Sequence, residues 1–281
     1  MLAPAKLNLY LHVVGRRADG YHLIDSLVAF ADIGDSIAVS QADRLSLAAR
    51  GAFAGDLGGD PRQNLIWRAA ESLAKQLGRA PGAAIDLEKN LPVASGIGGG
   101  SSDAATALLA LCELWGVRLA PEKLTDLAAE LGADVSVCLT RRASWMGGIG
   151  ERVEPAPALP PAAVVLVNPR QPLATRQVFA AIKPPYGQPA RFSAAPRSVP
   201  ELANLLAERR NDLTATAQAQ MPVIGDMLKR LSECDGVLLT RMSGSGATCF
   251  GLCENEFAAQ AAADRLRRSN PDWWVAGGRL I

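Results

Sequence analysis

The sequence predicts an α+β fold, and three observations lead to this prediction. Segments with the alternation typical of strands are mixed with segments of helical periodicity, without the regular rhythm of a doubly wound parallel sheet. Of the 281 residues, 49% are apolar, which is enough for a sizeable core without disulfides or metals. A proline-dense stretch at residues 154–162 has the composition of a crossing between two halves. We therefore expect two domains, residues 1–153 and residues 154–281.

In the first half, apolar alternation predicts strands and a 3.6-residue period predicts helices. The predicted strands are residues 5–14, 23–30, 35–39, 83–87 and 135–139. The predicted helices are residues 64–77, 104–115 and 121–131. Gly34 is expected to separate the second strand from the third, because glycine weakens a strand interior. A glycine-rich turn is expected at residues 15–20 and a loop at residues 51–62.

The second half continues with a similar mixture of short strands and helices. The predicted strands are residues 164–167, 237–241 and 249–252. The predicted helices are residues 204–210, 215–221, 224–234 and 256–268. Residues 181–200 are rich in proline and polar side chains, so we expect a long surface loop there.

Composition and charge exclude several classes of function. The formal net charge is +1, which is too small for the electrostatic field of the whole protein to attract nucleic acid or an anionic membrane. The five cysteines form no CxxC pair and there are only two histidines, which disfavours a zinc site. No apolar run is long enough to span a bilayer or resembles a signal peptide. We expect a cytoplasmic protein with reduced thiols and neither nucleic-acid nor membrane partners.

A glycine-rich segment at residues 96–102 predicts a phosphate-binding loop. Four glycines within five positions are costly in chain entropy, and they suit a backbone that must approach a ligand closely. They precede a predicted helix, whose first N–H groups and partial positive charge favour phosphate. The pattern lacks the lysine of the Walker motif and the third glycine of GxGxxG. The alternative interpretation is an ordinary loop in which a serine caps the helix.

Two charged residues are candidates for the chemistry of such a site. Lys6 lies within an otherwise apolar strand, and Asp134 lies at the edge of an apolar segment. Phosphoryl transfer to an alcohol needs a carboxylate near the hydroxyl, and a nearby cation would keep that carboxylate ionised. The residues alone do not pair Lys6 with Asp134, and each could be a surface charge at a strand end. A second glycine cluster at residues 243–248 adds weaker support for phosphate binding.

Three stretches together resemble the signature motifs of the GHMP kinases: residues 4–10, residues 91–105 and residues 243–248. Their order and spacing agree with that family, and they span nearly the whole chain. The resemblance implies a two-domain fold, with an N-terminal domain similar to a ribosomal-protein domain and a C-terminal α/β sandwich. It also implies an ATP-dependent small-molecule kinase that uses Mg²⁺. The sequence does not identify the ligands of the Mg²⁺.

Finer features at residues 17–22, 64–66, 132–135 and 211–213 resemble the branch of that family whose acceptor carries a cytidine diphosphate group. The resemblance implies that Asp134 is the general base and Lys6 its cationic partner. The implied substrate-binding residues are Asn8, Tyr21, His22, Thr175 and Phe179, with the aromatic rings and the imidazole around the cytosine. The implied ATP-binding residues are Asn64, Leu65, Ile66, Lys89, Pro92, Gly96, Gly98, Gly99, Gly100, Ser101 and Ser102.

Two other functions remain open at this point. One is a sister kinase acting on homoserine, mevalonate or a sugar, which would have no use for a cytosine site. The other is a nucleotide-binding module without catalysis, which could lack Lys6 and Asp134. Ser136 stands where the family often has proline, and residues 188–200 match no functional segment. We expect a small-molecule substrate and a monomer or weak homodimer.

Overall fold

The computed structural model describes residues 1–281, which form two compact units. The first unit comprises Met1–Ala5, Gly34–Val93 and Gly98–Arg141. The second comprises Lys6–Ile33, Ala94–Ile97 and Arg142–Ile281. The chain passes between the two several times, and the division into domains at residue 153 stays a prediction.

The strands are β1 (Leu2–Arg16), β2 (His22–Gln41), β3 (Ser46–Arg50), β4 (Ala83–Glu88), β5 (Ser144–Gly148), β6 (Arg152–Pro155), β7 (Ala163–Asn168), β8 (Val237–Met242), β9 (Cys249–Cys253) and β10 (Trp274–Arg279). The helices are α1 (Leu65–Gln76), α2 (Gly99–Leu114), α3 (Pro121–Leu131), α4 (Ala133–Thr140), α5 (Thr175–Ala180), α6 (Val199–Ala207), α7 (Thr214–Gln220), α8 (Val223–Ser232) and α9 (Glu256–Ser269). This mixture of helices and antiparallel strands confirms the predicted α+β class. The sequence prediction missed β3, β5, β6, β10 and α5.

In the first unit, four helices accompany a small sheet. The second half of β2 pairs antiparallel with β4, and β3 pairs parallel with β4. Helices α1, α2, α3 and α4 pack on one another. One face of α2 is fully buried, formed by Ala104, Ala107, Leu108 and Leu111.

The predicted break at Gly34 is wrong, because β2 runs without interruption through it. A Cβ atom on Gly34 would lie 2.3 Å from the carbonyl oxygen of Ala3. Glycine is therefore required here for close approach of a neighbouring backbone segment, and a strand accommodates it without ending.

The predicted strand at residues 135–139 is also wrong, since these residues lie in helix α4. A short apolar run does not distinguish a buried strand from a buried helix, and packing decides between them. Helix α4 packs against α2 and α3, which explains why Val135, Val137 and Cys138 are all buried. Asp134 consequently lies in the first turn of a helix and not at the edge of a strand.

Helix α2 begins at Gly99, five residues before the predicted start. Gly98 precedes it in the left-handed conformation, with φ of +62°, which suits glycine. The N–H of Ser102 then donates to the carbonyl oxygen of Gly98 at 2.8 Å, so the last glycines of the loop already belong to the helix. Their low helix propensity is overridden by the packing of the helix that follows.

The second unit contains a four-stranded antiparallel sheet in the order β10–β7–β9–β8, with α8 and α9 packed against it. Every residue of β7 is buried, as expected for a central strand covered by helices. The first half of β2 pairs with β5, and β5 pairs with β6, in the same unit. No helix of the chain is both long enough and apolar enough to cross a membrane.

Candidate active site

Strand β1 presents two polar side chains in the interior of the second unit. Lys6 is only 3% exposed, and its N–H donates to the carbonyl oxygen of Ile97 at 2.9 Å. The Asn8 N–H donates to Ser243 Oγ at 3.1 Å, and its Nδ2 donates to Ser26 Oγ at 2.8 Å. Asn8 Oδ1 is buried without a hydrogen-bond partner. A buried acceptor of this kind is costly unless a donor reaches it, so Asn8 suits contact with a bound molecule.

The two glycine clusters, far apart in sequence, meet in the second unit. The N–H of Thr248 donates to the carbonyl oxygen of Ser95 at 3.0 Å, and Ser243 Oγ donates to that of Gly96 at 3.0 Å. A Cβ atom on Gly96 would lie 2.6 Å from the carbonyl oxygens of both Ser243 and Gly246. Gly96 is therefore required for this contact, and its φ of +77° also favours glycine.

We expect Gly96→Ala to destabilise the second unit. The left-handed conformation alone costs a residue with a Cβ roughly 1–2 kcal/mol, and the contact with the second glycine cluster must also open. Chemical denaturation would measure the loss of unfolding free energy. Gly58→Ala is the matched control, because a Cβ atom there meets nothing within 4 Å and its φ is not left-handed. Equal stability of the two variants would contradict this assignment.

In the first unit, the start of α2 offers groups that suit phosphate. The first N–H groups of any helix lack partners within the helix, and here they are those of Gly99, Gly100 and Ser101. Ser102 Oγ is buried and has no hydrogen-bond partner. The N-terminus of this 16-residue helix carries a partial positive charge that favours an anion. These groups fit the phosphates of ATP.

A buried network of three charges lies next to the start of α2. Lys89 Nζ is 2.5 Å from Asp35 Oδ2 and 2.8 Å from Asp103 Oδ2, and all three side chains are almost fully buried. Asp35 Oδ1 also accepts hydrogen bonds from the N–H groups of Asn90 and Leu91, at 2.6 and 2.8 Å. The network therefore fixes the backbone at residues 90–91, which leads into the glycine-rich segment.

The electrostatics of this network are unbalanced, because two carboxylates share one ammonium group. Burial alone would lower the pKa of Lys89, but attraction to Asp103 and Asp35 outweighs it and the pKa is raised. Burial also raises the pKa of Asp103; repulsion from Asp35 adds to this, and Lys89 opposes it. The arrangement holds positive charge on Lys89 and makes each carboxylate dependent on it.

The other residues implied in ATP binding occupy different environments in the first unit. Asn64 caps α1, since its Oδ1 accepts from the N–H of Ile66 at 2.9 Å, and Ile66 is fully buried in the core. Leu65 lies beside the loop, with Cδ1 3.9 Å from the position of a Cβ atom on Gly100. Pro92 is buried. Leu65 thus presents its side chain next to the glycines, and the ATP-binding role of all four residues stays a prediction.

Asp134 lies half-buried in the first turn of α4. The N-terminus of a helix attracts negative groups, and a general base must be a group that can accept a proton, as a carboxylate can. No group of three or more histidine, cysteine, aspartate or glutamate side chains is placed to hold a metal ion.

An aromatic cluster in the second unit surrounds His22. The ring of Phe179, on α5, lies 5.6 Å from the imidazole with an interplanar angle of 32°. The ring of Tyr186 lies 6.2 Å away and meets it edge-on. His22 Nε2 is buried without a hydrogen-bond partner, and burial lowers the pKa of His22, with Arg16 adding a smaller effect. A neutral imidazole with an unsatisfied nitrogen, flanked by aromatic rings, suits the polar edge of a planar heterocycle.

Tyr21 and Thr175, two further predicted substrate-binding residues, differ in their surroundings. Tyr21 is 61% exposed, so its ring is free to cover a ligand. Thr175 Oγ1 lies 2.8 Å from Ser245 Oγ, which connects α5 with residues 243–248, the third motif.

Two residues absent from the predicted site support that motif. Asn211 Nδ2 donates to the carbonyl oxygens of Met242 and Gly244, at 2.8 and 2.7 Å, and Asn168 Nδ2 donates to Thr248 Oγ1 at 2.9 Å. Asn211 lies in the segment 211–213 that the resemblance singled out, whereas nothing in the sequence marks Asn168. Tyr186 was missed as well, because it lies in a segment that resembles an ordinary loop.

The chain is similar to known proteins of one family. The family described as GHMP kinases N terminal domain matches residues 64–142, and that described as GHMP kinases C terminal matches residues 192–272. A 4-diphosphocytidyl-2-C-methyl-D-erythritol kinase of Paramagnetospirillum magneticum is 51% identical over 279 residues, covering 99% of this chain and 97% of that protein. The protein of the same name from Ruegeria pomeroyi is 50% identical over 282 residues, covering 99% and 98%.

Solved structures give the same picture. A crystal structure of 4-(cytidine 5'-diphospho)-2C-methyl-D-erythritol kinase matches with a TM-score of 0.82 at 34% identity, covering 100% of this chain and 98% of that one. A homoserine kinase from Cytophaga hutchinsonii matches with a TM-score of 0.68 at 17% identity, covering 99% and 92%, and shows a shared fold only.

Proposed function

The chain belongs to the 4-diphosphocytidyl-2-C-methyl-D-erythritol kinases of the GHMP kinase family, and we propose from this membership that it phosphorylates the 2-hydroxyl of 4-diphosphocytidyl-2-C-methyl-D-erythritol with ATP. The reaction lies in the non-mevalonate route to isoprenoid precursors. The observation that carries the choice of substrate is the buried, unsatisfied Nε2 of His22 among aromatic rings. A cytosine ring offers both a polar edge for this nitrogen and a face for stacking.

Asp134 is the proposed general base and Lys6 the proposed cation of the reaction. The carboxylate of Asp134 accepts the proton of the substrate's 2-hydroxyl while the hydroxyl oxygen bonds to the γ-phosphorus of ATP. The bond between the γ-phosphorus and the β,γ-bridging oxygen breaks, and ADP leaves. The ammonium of Lys6 stabilises the negative charge of the transferring group. The helix N-terminus at Asp134 and the burial of Lys6 within its own unit support these roles. Asn8 is proposed to fix the substrate through its unsatisfied Oδ1.

The glycine-rich segment is proposed to hold the phosphates of ATP. The start of α2, from Gly98 to Ser102, supplies N–H groups and the unpartnered Oγ of Ser102. Mg²⁺ bound with the nucleotide would neutralise the negative charge that develops during the transfer. The buried, unpartnered Oγ of Ser102 is proposed to contact either the nucleotide or its metal.

The proposed location is consistent with the state of the cysteines. All five cysteines are unpaired thiols, as expected in a reducing cytoplasm. We propose a cytoplasmic enzyme that acts as a monomer or weak homodimer on a small molecule, without nucleic-acid or membrane partners.

The decisive experiment offers one acceptor at a time and measures ADP release with ATP and Mg²⁺. We expect turnover with the cytidine diphosphate of methylerythritol, and none with homoserine, mevalonate or galactose. Turnover with only one of the other acceptors would show that the proposed substrate is wrong and that the proposed kinase activity is right. Protein that binds ATP but turns over none of them would contradict the proposed function and favour a nucleotide-binding module.

A further inference from the structure

The segment after α5 matches no predicted site, yet part of it is firmly docked. We define the strap as residues 186–192, which form no helix or strand. Two backbone N–H groups of the strap are bound to the sheet. That of Gly187 donates to the carbonyl oxygen of Val13 at 2.8 Å, and that of Ala190 donates to Asp25 Oδ2 at 2.9 Å. A segment fixed in this way is part of the folded structure and not a mobile loop.

The main anchor of the strap is the buried carboxylate of Asp25 on β2. Its side chain is 4% exposed, and Arg191 Nε donates to Oδ1 at 3.0 Å. Asp25 Oδ2 also accepts from the Tyr10 hydroxyl at 2.7 Å. Two of the three side-chain and backbone donors to Asp25 therefore come from the strap. Undocking the strap would leave a buried carboxylate with one partner, which is strongly unfavourable.

Further contacts hold the strap along its length. His12 Nδ1 lies 2.8 Å from the carbonyl oxygen of Gln188, and His12 Nε2 accepts from the N–H of Arg210 at 3.3 Å. Because Nε2 accepts, Nδ1 carries the proton that it donates to the strap. Phe192 meets the ring of Trp145 edge-on at 5.1 Å. These contacts hold the strap at Gln188 and at its last residue, Phe192.

The strap begins with Tyr186, whose ring meets the imidazole of His22 edge-on. Phe179 lies against the same imidazole, so His22 is flanked by one ring from α5 and one ring from the strap. The first backbone anchor, at Gly187, follows Tyr186 directly. A Cβ atom on Gly187 would lie 2.9 Å from Asp212 Oδ2 and 3.4 Å from the carbonyl oxygen of Val13, so the strap docks closely here.

We propose that Tyr186 is a further specificity-determining wall of the cytosine site, and that Arg191, through its ion pair with Asp25, is the residue that positions it. This inference rests on the proposed function, since it assigns Tyr186 to the site of the cytosine. The aromatic ring of Tyr186 packs against the base, and Arg191 acts only by holding the strap that carries this ring.

The test measures KM for the cytidine substrate and KM for ATP in four variants. Tyr186→Leu is expected to raise the KM for the cytidine substrate about tenfold, which is the size of one lost base–aromatic contact, and to leave the KM for ATP unchanged. Tyr186→Phe keeps the ring and is expected to match the wild type. Arg191→Met is expected to raise the same KM, and Arg191→Lys, which keeps the charge, less so.

The double variant separates positioning from general stability. If Arg191 acts through Tyr186, adding Arg191→Met to Tyr186→Leu raises the KM no further. Arg197→Met is the matched control, because Arg197 follows in the same loop and is 91% exposed in its pair with Glu201.

Three results would overturn the proposal. They are an unchanged KM in Tyr186→Leu, equal changes in both KM values, or fully additive effects in the double variant. Failure of the proposed function looks different, because the wild type would then not turn over the cytidine substrate at all.

Discussion

Asp134→Asn is expected to reduce kcat about 10²–10⁴-fold, the loss typical of removing a general base. The amide cannot accept the proton of the 2-hydroxyl, whereas its size matches the carboxylate and leaves α4 intact. ATP binding should persist, because the start of α2 and not this carboxylate is proposed to hold the phosphates. Steady-state ADP release measures kcat, and calorimetric titration with ADP or a non-hydrolysable ATP analogue measures binding.

The matched control for this substitution is Asp126→Asn, which makes the same change on the exposed surface of α3. We expect the control to retain wild-type turnover. If Asp134→Asn keeps wild-type kcat, the assignment of the base is wrong. If it loses nucleotide binding along with turnover, the carboxylate contributes to the ATP site instead.

Lys89→Met is expected to lower the free energy of unfolding by about 3–5 kcal/mol, as found when one partner of a buried ion pair is removed. The substitution leaves Asp35 and Asp103 buried without their shared ammonium group. It should also raise the KM for ATP, because Asp35 holds the backbone that leads into the glycine-rich segment. Urea denaturation and steady-state kinetics measure the two effects.

Because the network has two carboxylates and one ammonium group, removing one carboxylate is a control for removing the ammonium group. Asp103→Asn removes one of two carboxylates and leaves the pair of Lys89 with Asp35, so we expect a loss of about 1 kcal/mol, the size of one hydrogen bond. Adding Asp103→Asn to Lys89→Met should restore part of the lost stability, because fewer unpaired charges remain buried. Lys75→Met, on the exposed face of α1, should change stability by less than about 0.5 kcal/mol. A Lys89→Met variant as stable as this control would contradict the account.

The fold class was predictable because long periodic segments carry strong signals. The helices α1, α3 and α9 lie within one or two residues of their predicted bounds. The errors arise where local pattern and packing conflict. Residues 135–139 are apolar in every position but one, so only the surrounding helices decide that they form α4. Gly34 resembles a strand break, but it permits a backbone contact that is invisible in the sequence.

The motifs of the candidate site could be predicted from the sequence, but the contacts that hold them in place could not. The glycine clusters are conspicuous, because so much glycine is unfavourable without a reason. The resemblance marks Lys89 as an ATP-binding residue, but only the fold shows that its ammonium group is enclosed by Asp35 and Asp103. Asn168 and Tyr186 belong to no motif, and their roles depend on neighbours more than ten positions away along the chain.

The contact between Gly96 and the third motif has a consequence for how the protein is made. Ser243 and Gly96 are 147 positions apart, and Asn8 and Ser243 are 235 positions apart. Contacts of such high sequence separation carry a large loop-closure entropy and form late in folding. During synthesis, the glycine-rich segment would leave the ribosome long before residues 243–248 exist to support it. Nucleotide binding should therefore arise only when nearly the whole chain has emerged, so that ATP recognises the finished protein and not its growing fragments.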